Sequence, residues 1–160
     1  MEALTVTIIA CNEADRIGRA IQSVSFADEV LVVDSGSQDA TVEVARSLGA
    51  RVIETDWPGY REQKNRAVQW AKNDWVLGLD ADEWVSPQLG DCIQSALKNP
   101  GLQGFAVNRL GLWMGPPSAM VCGTRIDPSG SSIDAVESGQ AVMFMNAWRY
   151  RDEPGDWRAI

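Results

Sequence analysis

Six residues have the types and places to handle a phosphorylated ligand: Asn12, Glu13, Asp34, Lys64, Asp80 and Asp82. The acids and the amide fall at the ends of short apolar runs, LTVTIIA (Leu4–Ala10), EVLVVD (Glu29–Asp34) and WVLGL (Trp75–Leu79). A hard divalent cation such as Mg²⁺ or Mn²⁺ takes oxygen ligands, usually one or two carboxylates together with substrate phosphates. Asp80-Ala81-Asp82 offers such a pair. Alternate side chains of an extended segment point opposite ways, so one acid can face a metal and the other a nucleotide's ribose. Lys64 lies near the start of a helical stretch, just after Pro58-Gly59. It can meet a diphosphate as a point charge, aided by the positive end of the helix. Taken singly, each acid is equally an ordinary turn or cap residue, and a lone D-x-D is a weak motif. Arg61, Glu62 and Glu83 read as solvated or capping charges. Trp57 can stack on a ring, with loop packing as its first reading.

These groups cooperate only if one scaffold brings them to a common edge. The three apolar runs read as buried strands, joined by RVIE (Arg51–Glu54) and by Gly104–Asn108. Between them lie helical stretches. One carries Ile17, Ala20, Ile21 and Val24 on a single stripe. A second starts at Asp39 as cap and stops at Gly49; a third runs over Gln63–Lys72. A fourth is capped by Ser86, has Pro87 at its first position and runs through Leu97. Strand and helix alternate with short connections, which predicts a mostly parallel α/β sheet with helices on both faces. The carboxyl ends of such strands share one edge, and ligands bind in the crevice there.

Composition narrows the function classes. The 160 residues suit one domain with a real core, and 45% are hydrophobic. A net charge of -8 disfavours nucleic acid and anionic membrane surfaces, and makes a bound anion costly unless a cation offsets it. There is no histidine, which excludes a Ser-His-Asp or Cys-His triad and any imidazole base. Three scattered cysteines fit neither a zinc site nor a disulfide framework, so a reducing cytosol is expected. The start has no basic region ahead of its apolar run, and no stretch approaches the ~20 apolar residues of a membrane span. The expectation is a cytoplasmic chain, peripheral at the inner membrane at most.

In their order, IIACNEADRI, EVLVVDSGSQDAT, ARVIETDWPGY, QKNRA and WVLGLDADEWVSP resemble family 2 inverting glycosyltransferases of the GT-A fold. More narrowly they resemble bacterial lipopolysaccharide core β-1,4-glucosyltransferases. The resemblance implies a Rossmann-like nucleotide-diphospho-sugar transferase sheet over residues 1–109, truncated relative to the family. It implies that Asp34 recognises the base, that Asn12 and Glu13 line the nucleotide pocket, and that Lys64 lies near the diphosphate. Asp80 and Asp82 match the D-x-D pair, with Asp82 the direct ligand of Mg²⁺ or Mn²⁺. The implied donor is a nucleotide-diphospho-sugar, UDP-glucose first, and the acceptor a glycan or lipopolysaccharide core. The implied reaction inverts the sugar, with the metal stabilising the departing diphosphate and a carboxylate base deprotonating the acceptor.

Residues 110–160 depart from that family. They lack lysine and any sustained period, and Ala141–Met145 is the sole candidate element. Glu137, Asp152, Glu153 and Asp156 are available carboxylates, but none sits in the family's pattern, so no catalytic base is assigned. Back-translated and read from each codon's third base, Met143-Phe144-Met145-Asn146 gives Val-(His/Tyr)-Glu without free choice. With permitted synonymous codons, residues 118–144 yield RHGVRYPDRPFRLFDRCRGERPGRHV, which resembles the family's missing RHG, WYPDR, RLF and VHE segment. The expectation drawn from this is a frameshift near Leu110 that replaced the native C-terminal part with out-of-frame sequence. The tail is expected to be poorly ordered and unable to finish the sheet, leaving an open edge. Two alternatives to an active transferase follow: an inactive remnant that binds nucleotide sugar without turnover, and a phosphohydrolase or nucleotidyltransferase. The phosphohydrolase form is disfavoured by Trp84, where Thr or Val would be wanted.

Overall fold

In the computed structural model the described residues are 2–98 and the strand segments 104–108, 124–125 and 140–145. Strands β1 (Leu4–Ala10), β2 (Glu29–Asp34), β3 (Arg51–Glu54) and β4 (Trp75–Asp80) pair in parallel, in the order β3-β2-β1-β4. β1 is buried along its whole length because it has a neighbour on each side and helices above and below. Helices α1 (Ala14–Ser23), α2 (Thr41–Ser47), α3 (Tyr60–Trp70) and α4 (Pro87–Ala96) alternate with the strands.

The pleat sorts side chains between two layers. Leu4, Val6 and Ile8 of β1 with Trp75, Leu77 and Leu79 of β4 pack under Ile17 and Ile21 of α1, Ala45 of α2, and Leu89 and Ile93 of α4. Ile9, Leu31 and Val33 point the other way, onto Ala67 and Trp70 of α3. Helices therefore cover both faces, as expected.

A polar network joins the amino ends of the strands. Glu29 is buried, and its Oε2 accepts from the Thr5 hydroxyl at 2.9 Å and the Lys72 amide at 2.9 Å. Its Oε1 accepts from Arg51 Nε at 2.8 Å, and Arg51 also donates to the Trp70 carbonyl. Burial pushes the Glu29 carboxyl up; the bonds from Lys72, Arg51 and Thr5 outweigh it and hold the group below the ordinary glutamate range.

Two helix starts differ from expectation. α3 begins at Tyr60 rather than Gln63, with Gly59 as its cap at φ 112. The cap residue of α2 is Ala40, not Asp39. Asp39 instead accepts from the Thr41 amide at 3.0 Å and hydroxyl, and reaches the Ala14 amide at 3.1 Å, so it ties α2 to α1. Ser86 does cap α4, its hydroxyl accepting from Leu89 N at 3.2 Å.

β5 (Gly104–Asn108), β6 (Thr124–Arg125) and β7 (Gln140–Met145) extend the sheet antiparallel, in the order β4-β7-β5-β6. The tail was expected to leave the sheet's edge open. Its one apolar run instead supplies a strand whose backbone pairs with β4 over Met143–Met145. The rest of the expected poor order lies outside the described residues. Among the described cysteines, Cys11 is a free, exposed thiol.

Candidate functional site

At the carboxyl edge, β1 passes into Cys11-Asn12-Glu13, and Asn12 takes the left-handed conformation at φ 55. That turn lets its backbone amide donate to Ser37 Oγ at 2.8 Å while its side-chain Oδ1 accepts from the Gln38 amide at 2.8 Å. Glu13 N donates to Thr41 Oγ1 at 2.8 Å, and its carbonyl opens α1 by accepting from Arg16 and Ile17. Its carboxylate pairs with Arg16 at 3.2 Å. The loop after β1 is thereby fastened to the loop after β2.

Asp34 ends β2 and is 1% exposed. Its Oδ2 accepts from the amides of Gly36 at 3.0 Å and Ser37 at 2.8 Å, and its Oδ1 accepts from the Ser37 hydroxyl. Gly36 at φ 83 lets the chain fold back over this carboxylate. Asp34, the acid expected to read a base, thereby also shapes its own loop, and Ser35 is the next residue along the edge.

The β4 end is built around a turn rather than an extended segment. Asp80 N donates to Glu83 Oε2 at 2.9 Å, and Glu83 N donates back to the Asp80 carbonyl at 3.0 Å. Ala81 is buried between the two acids and Asp82 is exposed. The opposite-facing acids expected of an extended strand are replaced by acids on a closed turn. Trp84 follows, with the Arg19 guanidinium of α1 3.4 Å above its ring, which braces the turn from the other layer.

Alternation along β4 puts Asp80 on the α3 side of the sheet, and there Lys64 Nζ lies 3.0 Å from Asp80 Oδ1. Gln63, wholly buried one residue earlier, donates from Nε2 to Ser35 Oγ at 2.9 Å. Gln63 and Ser35 are site-building residues that the sequence reading missed. A glutamine in a polar helix turn carries no mark of burial, although its neighbour Lys64 was singled out. Arg61 is exposed, as expected.

Asn12, Glu13, Asp34, Lys64, Asp80 and Asp82 therefore lie on four neighbouring segments of one sheet edge. Among the described residues no three His, Cys, Asp or Glu side chains gather into a complete ligand set. Two carboxylates on one exposed turn still suit a hard cation that draws its remaining oxygens from phosphate and water. No helix of the described residues is long and apolar enough to cross a membrane.

A β3-β2-β1-β4 parallel sheet flanked by helices, with its polar groups along the carboxyl edge, defines a GT-A type α/β domain. The glycosyl transferase family 2 model matches residues 5–111, and the chain belongs to that family. It is 52% identical over 95 residues to an uncharacterized glycosyltransferase of Rickettsia felis, a match covering 59% of this chain and 34% of that protein. It is 31% identical over 99 residues to the lipopolysaccharide core biosynthesis glycosyltransferase LpsC of Rhizobium meliloti, covering 59% and 37%. Among solved structures it resembles glucosyl-3-phosphoglycerate synthase from Mycobacterium tuberculosis in complex with Mn²⁺, UDP and glucosyl-3-phosphoglycerate. That likeness has a TM-score of 0.54 at 27% identity, over 67% of this chain and 43% of the other. Mannosyl-3-phosphoglycerate synthase from Rubrobacter xylanophilus gives a TM-score of 0.55 at 29% identity, over 64% and 38%. The chain spans about one third of the length of the curated relatives it matches first.

Proposed function

We propose that residues 4–109 are the donor-binding half of a metal-assisted, inverting glycosyltransferase that holds a nucleotide-diphospho-sugar, UDP-glucose first. The Lys64–Asp80 pair carries this reading, because it sets a cation suited to phosphate beside the acidic turn that also holds Asp82 at the sheet's carboxyl edge. Lys64 takes the diphosphate, Asp82 the metal, and Asp80 the metal-proximal end of the nucleotide. Asn12 and Glu13 line the nucleotide pocket, and Asp34, whose loop is tied to theirs, recognises the base. Bound Mg²⁺ or Mn²⁺ would supply a Lewis acid that stabilises the charge developing on the diphosphate. Mn²⁺ and UDP in the mycobacterial relative support both assignments. The likeness to LpsC supports a lipopolysaccharide-core or similar glycan acceptor, and with it a cytoplasmic chain that works peripherally at the inner membrane.

A second reading is favoured by a separate observation. The family match ends at residue 111, close to the frameshift hypothesised near Leu110, and the family's base is expected downstream of it. On this reading the chain is a remnant that binds nucleotide sugar without turnover.

Calorimetric titration of UDP-glucose with Mn²⁺, then with EDTA, tests the shared part. Metal-dependent binding is expected, and its absence in a folded sample rejects both readings. Turnover on a lipopolysaccharide-core acceptor separates them. Sequencing the gene tests the frameshift, which an intact frame with unrelated codons would rule out.

A further inference from the structure

We infer that Trp57 and Tyr60 form the seat for the nucleobase of the donor, an inference that rests on the donor-site reading above. Both are large aromatics left in water, 46% and 73% exposed, on the stretch joining β3 to α3. Their rings meet edge to face, with centroids 4.8 Å apart and planes at 88°. In that arrangement each ring keeps a face open to a further planar group.

Their position selects the ligand part. Residues three and four apart share one side of a helix. Tyr60 therefore lies on the same side of α3 as Gln63, which binds Ser35, and Lys64, which binds Asp80. It stands one turn nearer the carboxyl edge than the phosphate-binding lysine. Trp57 lies on the loop that leaves β3 and Tyr60 opens α3, which packs on β1, β2 and β4, so the pair stands at the carboxyl edge one helical turn from the Lys64–Asp80 contact. A nucleoside diphosphate laid along this edge with its phosphates at Lys64 and Asp80 carries its base toward Trp57 and Tyr60. An acceptor sugar would have to approach beyond the diphosphate, on the β4 side.

The loop is braced for such a role. Thr55 N donates to the Asp34 carbonyl at 2.9 Å, and Asp56 pairs with Arg66 of α3 at 2.7 Å. The aromatic pair is thus held from β2 and from α3 before any ligand arrives, which limits the ordering cost of stacking.

Base–aromatic stacking changes affinity by about ten-fold per base. The test titrates the full chain with two probes in Mn²⁺, UDP and inorganic pyrophosphate, which has no base. Tyr60→Leu and Trp57→Leu should each weaken UDP about ten-fold and leave pyrophosphate unchanged, whereas Trp57→Phe should keep most of the UDP affinity. Unchanged UDP binding, or equal losses for both probes, overturns the inference. Should Trp57→Leu fail to fold, the highly exposed Tyr60 decides alone. Wild-type protein that binds neither probe rejects the donor site itself, and the base seat with it. Wild-type binding with indifferent variants rejects only the base seat.

Discussion

Asn12 combines a left-handed backbone at φ 55 with a side chain that accepts from the Gln38 amide. Asn tolerates that conformation better than most residues because of its short polar side chain. Asn12→Ala should therefore cost about 2 kcal/mol, from the strained backbone and the lost bond together. Asn12→Gly should recover the backbone share and lose only the bond, and thermal melts of the two variants separate the contributions. Glu29 supplies a pH dependence. Its folded-state pKa lies below the unfolded value, so its stabilising effect is complete above the unfolded value and fades as pH falls through the folded one. In urea titrations across the acid range, the wild type should lose stability more steeply than Glu29→Gln as pH falls. Parallel slopes would contradict that.

α3 shows at the level of one element what could be read from the chain and what could not. Its second half was legible because Ala67 and its apolar neighbours repeat at helical spacing. The first turn was not, because Tyr60-Arg61-Glu62 offers no apolar stripe and the cap Gly59 contributes backbone conformation rather than a side chain. The four parallel strands were nearly legible to the residue, since continuous β-branched runs have few other uses. Asp34 and Asp39 were legible as polar positions, but their bonding is set by loop contacts that spacing cannot specify. Gly59 at φ 112 has open space around a would-be Cβ, so its substitution is limited by backbone strain alone. Gly59→Ala should cost about 1 kcal/mol and weaken nucleotide binding by displacing the first turn of α3. Melting temperature and UDP affinity should fall together.

In the molecule as a whole, stability should grade outward from β1. That strand is hydrogen-bonded on both sides and buried throughout, while β3, among the described residues, has β2 as its single neighbour in the sheet and is half-buried. Native-state hydrogen exchange should show the slowest amides in Leu4–Ala10 and markedly faster exchange in Arg51–Glu54. The carboxyl edge draws on both, with Asn12 following β1 and Trp57 following β3. The codon reading near Leu110 and the family match ending at 111 bear on the same question of scale.

The ion pair between α3 and β4 has a thermodynamic corollary. With Lys64 3.0 Å from Asp80, each charge already has a counterion, so a diphosphate arriving alone must draw Lys64 from Asp80, and a cation arriving alone at Asp82 meets the nearby Lys64 charge. Arriving together, the two ligands exchange partners with the protein and leave no charge stranded. Their affinities should accordingly be mutually enhancing, by the same factor in either order of addition. Lys64→Met should uncouple them with opposite signs: Mn²⁺ alone binds more tightly than to wild type, and UDP in the presence of Mn²⁺ binds about ten-fold more weakly, at the scale of a lost charged hydrogen bond. Titrations in both orders measure the heterotropic linkage directly.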